Sequence, residues 1–249
     1  MFNPSTSYFR YSILIAIVVL TSLVLISSSY AQEKANEKQA TASKRAVAAV
    51  KALNDIAALP AAESIPREVL ERARVIAIFP NVSKINAIFQ KAMKGSGFAV
   101  RRTENGWGTP VFYQFGVIDS GWTTAEAKSP AIIMLFLSES AATDFKENEI
   151  SIGITVNGPI GEALSDADKK VIDGVRLVAY GYSNGKLVGV KIEEGDSIQS
   201  GMHADNAMNK PTFGAKGPDV FFTNVDAKGV PEIEELRIAV SKFFKKESK

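Results

Sequence analysis

The chain has 249 residues, with 29 Lys and Arg against 27 Asp and Glu, one histidine and no cysteine. That length holds one large domain or two small ones, and an apolar share of 46% is ordinary for a globular core. A net charge of +2 excludes bulk charge as the basis of function. The missing cysteines exclude a disulfide framework, a thiol nucleophile, a zinc knuckle and an acylated cysteine, and a lone His203 excludes a multi-histidine metal site.

Residues 1–31 carry one charged side chain, Arg10, ahead of an apolar run over 13–26 and the small residues Ser29 and Ala31. A positive start, a short apolar core and a small-x-small exit predict a secretory signal peptide cleaved at about Ala31. The alternative is a retained anchor, but the apolar core is shorter than the roughly 20 residues that span a bilayer. The expectation is an exported protein, periplasmic or secreted, and freedom from cysteine suits an oxidising compartment.

Residues 32–44 are polar and charged and read as a flexible, solvated lead-in. From Lys44, the residues Val47, Val50, Leu53 and Ala57 fall on one helical face that Pro60 ends. Pro66 suits the first turn of a short second helix, 66–74, because its missing N–H is not needed there. Apolar or alternating runs predict strands at 75–79, 97–101, 111–117, 132–137, 150–156, 176–182 and 186–192. Asn184-Gly185 predicts a tight hairpin and Asn105-Gly106 a looser one, with Asn157-Gly158-Pro159 marking another reversal. Ser138 caps a short helix reaching Phe145. Residues 210–229, with two prolines and three glycines, read as a linker or loop. Pro231 opens a last helix with acidic residues at its start, lysines near its end and an apolar stripe of Ile233, Leu236, Val240 and Phe243.

Strands without intervening helices predict an α+β single domain. Its sheet is largely antiparallel and sandwich- or barrel-like, with helices at the N- and C-termini. The expected division is 1–31 signal peptide, 32–44 lead-in, 45–215 folded domain and 216–249 linker with an amphipathic helix.

The search for an active site returns negatives. No phosphate-binding loop motif is present. His203 could pair with Asp205, but no nucleophile at a recognisable turn accompanies it. Asp166, Asp168 and Asp173 have the wrong spacing for a calcium loop, with Lys169 and Lys170 between them. Glu193, Glu194 and Asp196 read as a solvated turn. No catalytic residue, metal or cofactor is therefore expected. Charge distribution says more. From Arg72 to Thr103 there are seven basic residues and no acidic one, whereas Glu139 to Glu149 holds four acidic residues and one lysine. Lys84, Lys91, Lys94, Arg101 and Arg102 are interleaved with Ile85, Ile88, Phe89, Met93 and Phe98. Cations around apolar side chains suit a phospholipid surface; the competing reading makes the apolar residues core and the lysines their solvated side. A nearly neutral chain without an aromatic–basic reader motif is no nucleic-acid binder. Trp107 and Trp122 read as core or rim packing.

Several segments in order resemble the SYLF domain family. They are Ile65-Pro66-Arg67-Glu68-Val69-Leu70-Glu71-Arg72-Ala73 with Ile76-Ala77-Ile78-Phe79-Pro80, then Lys94-Gly95-Ser96-Gly97-Phe98 and Gly106-Trp107-Gly108-Thr109-Pro110. Asn157-Gly158-Pro159-Ile160-Gly161, Tyr180-Gly181-Tyr182-Ser183, Gly185-Lys186-Leu187-Val188-Gly189-Val190 and Asn206 before Phe213-Gly214 follow. The likeness covers about 45–215. It departs from the family pattern at residues 81–94, which hold no glycine, and at 119–124. The resemblance implies an α+β domain that binds phospholipid. The expectation is a non-enzymatic, membrane-associated protein whose basic patch of Lys84, Lys91, Lys94, Arg101 and Arg102 meets an anionic phospholipid or membrane surface. The alternatives are an envelope-associated structural module with a protein partner and no lipid ligand, and an unrecognised hydrolase using Asp or Glu.

Overall fold

The chain is described by a computed structural model that covers residues 5–87, 90–118, 131–146, 149–151, 177–189 and 200–245. Two units are present, Met1–Thr41 and Ala42–Lys249. Helix α1 (Ser5–Ala57) supplies all of the first unit that is described. Residues 32–41, read as a flexible lead-in, are helical with side chains mostly exposed; Gln32 donates to Asn36 at 3.1 Å and Thr41 to the Glu37 carbonyl at 2.9 Å. Among the described residues no helix is long and apolar enough to cross a membrane.

Among the described residues, the second unit holds ten strands joined in one antiparallel sheet. They are β1 (Val75–Phe79), β2 (Val82–Ala87), β3 (Gln90–Thr103), β4 (Gly106–Trp107), β5 (Val111–Ile118), β6 (Ala131–Phe136), β7 (Glu149–Ser151), β8 (Leu177–Ser183), β9 (Lys186–Gly189) and β10 (Ser200–Ala204). The order is β7-β10-β5-β3-β1-β6-β8-β9, with β2 and β4 both pairing on β3. The α+β class and the antiparallel pairing follow the expectation; among the described residues the sheet is open, ending at β7 and β9.

Helices lie on both faces of this sheet. Among the described residues, the α-helices after α1 are α2 (Arg67–Arg72), α3 (Glu139–Thr143), α4 (Asn206–Phe213), α5 (Gly217–Thr223) and α6 (Glu232–Lys245). Phe112 and Tyr113 are consecutive on β5 and so point to opposite sides. Phe112 meets Arg45 of α1 and Phe213 of α4; Tyr113 meets Phe221 of α5 and Phe145 of the turn after α3. With both faces covered, β1 and β6 are buried at every residue, which is why their sequences are unbroken apolar runs instead of alternations.

The glycines of β3 mark a close approach. A Cβ on Gly97 would sit 1.9 Å from the Ile78 carbonyl oxygen, and one on Gly95 would strike the Phe115 ring at 2.4 Å. Phe115 there packs edge-on against Phe79, with ring centroids 4.5 Å apart. Asn184 and Gly185 both have positive φ, 52° and 74°, as the tight β8–β9 turn requires.

Three expectations are corrected. The buried stripe of α1 is Ala42, Ala46, Ala49, Leu53 and Ile56, while Val47 is 52% exposed. The 4-3-4-3 spacing of that stripe is as helical as the expected one, and its small alanines let the helix backbone approach the sheet. Residues 210–229 are not a linker: they hold the end of α4 and all of α5. The C-terminal helix is not an appendage, because Ala42–Lys249 is one unit and Phe244 of α6 stacks on Trp107 at 4.2 Å. The expected helix from Ser138 is present, with Ser138 Oγ accepting from the Ala141 N–H at 3.1 Å. Residues 152–156 of the expected fifth strand, the Asn157-Gly158-Pro159 reversal, Trp122, the Asp166–Asp173 cluster and the Glu193–Asp196 turn lie outside the described residues.

Candidate functional site

The five basic residues singled out by sequence fall on β2 and β3, in two groups. Lys84 pairs in register with Met93, Lys91 with Asn86, and Lys94 with Ser83. This ladder places the three lysines at one end of the long strand β3, and neither β2 nor β3 contains a carboxylate. Lys94 is exposed.

Arg101 and Arg102 stand at the other end of β3, seven and eight residues beyond Lys94, about 25 Å away at strand rise. Adjacent on the strand, they face opposite sides. Arg101 lies over the Phe222 ring at 4.9 Å. Arg102 lies over Trp107 at 5.1 Å and Phe244 at 5.4 Å, and donates to the Leu70 and Glu71 carbonyls at 3.1 Å each. It thus caps the C-terminal end of α2 with a cation, which suits the helix dipole. Burial, followed by the Arg74 and Arg67 charges, lowers its pKa below the ordinary guanidinium value. Met93 and Phe98, expected among the membrane-facing apolar residues, are core. The basic run is therefore not one patch: its arginines hold the fold, and its lysines stand at the β2–β3 end in alternate rows, Lys84 and Lys91 in those of Met93's side of the sheet and Lys94 in one of the opposite side.

A second polar cluster lies at the end of β10. Asp205 pairs with Arg45, not with His203; Arg45 Nη1 is 3.1 Å from Asp205 Oδ2, with side chains 15% and 4% exposed. Buried Asn209 donates to the Phe112 carbonyl at 2.9 Å and accepts from its N–H at 3.0 Å. It extends the β5 ladder beyond the last residue of β10. Asn206 accepts from the Gly217 N–H at 2.9 Å. These groups are satisfied within the protein and tie α1, α4 and α5 to the sheet, so the cluster is structural. Among the described residues, no group of acidic or histidine side chains can hold a metal ion.

The residues that sequence reasoning missed lie on β10. Met202 and Ala204 are buried and His203 is exposed. That period-two alternation in Gly201-Met202-His203-Ala204 was the available signal. The register puts Gly201 beside Gly116 and His203 beside Gln114 on β5, and β3 continues these rows with Lys94 and Ser96. On this stretch of sheet the residues facing the other way, Met93, Phe115 and Met202, are buried.

Comparison of the chain with protein-family models, with curated proteins and with solved structures finds no match.

Proposed function

We propose that the chain is an exported, non-enzymatic protein that binds anionic phospholipid headgroups through the lysines of the β2–β3 ladder. The observation that carries this reading is the placement of Lys84, Lys91 and Lys94 on two paired strands free of carboxylates. A basic residue near an anionic membrane contributes about 1 kcal/mol before screening, so three supply a few kcal/mol. Arg101 and Arg102 take no part, being engaged with aromatic rings and the end of α2. The resemblance to the SYLF family and the signal-like first 31 residues support the same reading.

The test is co-sedimentation of the full chain with vesicles of phosphatidylcholine alone and of phosphatidylcholine with phosphatidylglycerol. Binding to the anionic vesicles is expected, and Lys91→Glu with Lys94→Glu should weaken it at least tenfold, since removing the two charges alone is worth about 2 kcal/mol. Equal binding to both vesicle types, or an unchanged double variant, contradicts the reading. Capture of an acidic protein partner without lipid would favour the envelope-module alternative.

A further inference from the structure

Among the described residues, nothing requires Gly116 to be glycine. Its φ is not in the left-handed region, and the β3–β5 register runs unbroken from Ala92↔Ile118 to Ala99↔Val111, so it occupies no bulge. Among the described residues nothing lies within 4 Å of where its Cβ would stand. Gly95 and Gly97, on the neighbouring strand, are each required by a close contact. A glycine inside a strand weakens it, and where neither bulge nor packing explains it, the remaining use is to let another molecule come close to the backbone.

The surroundings of Gly116 specify that molecule. One cross-strand row holds Lys94, Gly116 and Gly201; the next holds Ser96, Gln114 and His203. Strand spacing and rise put the Lys94 and His203 backbones about 12 Å apart on this face, within reach of a common point above the two glycines. Lys94 and His203 are exposed, and Gly116, Gly201, Ser96 and Gln114 are partly so. A glycine floor ringed by an ammonium, an amide, a hydroxyl and an imidazole offers donors to a tetrahedral anion. Among the described residues, the acidic position nearest in register is Glu149, directly cross-strand from His203 on β7 and away from Lys94.

We infer that this face of β3, β5 and β10 is a seat for the phosphate of an anionic phospholipid headgroup, with Gly116 and Gly201 beneath it and Lys94 and His203 closing on it. The inference rests on the lipid-binding reading above, and adds a defined headgroup contact to a diffuse attraction. It separates recognition of a phosphate from mere proximity to a charged membrane.

The experiment measures binding of the full chain, Gly116→Val and His203→Glu to phosphatidylcholine–phosphatidylglycerol vesicles, with melting temperatures and with glycerol phosphate as a soluble competitor. Valine at 116 favours the strand and meets no described neighbour, so Gly116→Val should melt at the same temperature or higher and bind vesicles at least fivefold more weakly. His203→Glu, an exposed substitution, should also lose binding at least fivefold and decides the matter if Gly116→Val fails to fold. Wild-type binding that both folded variants retain overturns the seat and leaves the lipid reading standing. Wild-type chain that ignores the vesicles overturns both. Tight capture of glycerol phosphate without vesicle binding overturns the lipid headgroup as the occupant.

Discussion

Asn209 takes the place of a strand residue from inside a helix: its amide oxygen accepts from the Phe112 N–H, and its NH2 group adds a second donor to the Phe112 carbonyl beside the Asp205 N–H. Asn209→Ala leaves a buried N–H without its partner and weakens the bonding of a buried carbonyl, so a loss on the order of 2 kcal/mol is expected from denaturant unfolding. Three buried side-chain polar atoms lack hydrogen-bond partners among the described residues, Arg102 Nε and the hydroxyls of Tyr113 and Tyr180. Burial pushes both phenols above the ordinary tyrosine range. A raised folded-state pKa means that stability is intact below about pH 10, where the unfolded tyrosines are neutral, and falls as pH rises beyond it. Tyr113→Phe and Tyr180→Phe should each keep or raise the melting temperature at pH 7 and reduce the alkaline loss of stability; a fall in melting temperature at pH 7 would show that the hydroxyl has a partner.

At the level of elements, the Arg45–Asp205 pair fastens α1 to the turn between β10 and α4. Asp205→Ala strands a largely buried guanidinium, with an expected cost of roughly 3 kcal/mol in unfolding free energy. Gly97→Ala drives a Cβ into the Ile78 carbonyl and should prevent β1 and β3 from pairing as they do, giving a chain without a cooperative melt. The strands β1, β6 and β8 were legible because apolar residues on both faces leave long uninterrupted runs. The helices α4 and α5 were not, because Pro211, Gly214, Gly217 and Pro218 read as loop punctuation. In the structure Gly214 ends α4 with φ 77° and Pro218 sits in the first turn of α5, so the same residues mark a boundary between two short helices. Segregation of the cations was legible; their division was not. Arg102 is drawn away by Trp107 and Phe244, and nothing local announces a partner near the other end of the chain.

For the molecule as a whole, residues from Ala42 to the C-terminal helix act as one unit, with Phe244 stacked on Trp107 and Arg237 donating to the Trp107 carbonyl at 3.4 Å. The division expected at 215 therefore cuts through a core, and a chain ending there should be insoluble or lack a cooperative melt. The proposed lipid contact falls at one end of the sheet, at the β2–β3 lysines and the face around Gly116. Freedom from cysteine allows a single reporter to be placed on it. Ser83 is exposed beside Lys94 in the ladder, whereas Glu235 is exposed on α6. With an environment-sensitive dye on Ser83→Cys, addition of phosphatidylglycerol-containing vesicles should shift the emission to the blue, and dye on Glu235→Cys should show little change. Equal shifts at both positions, or a shift at Glu235→Cys alone, would contradict the account.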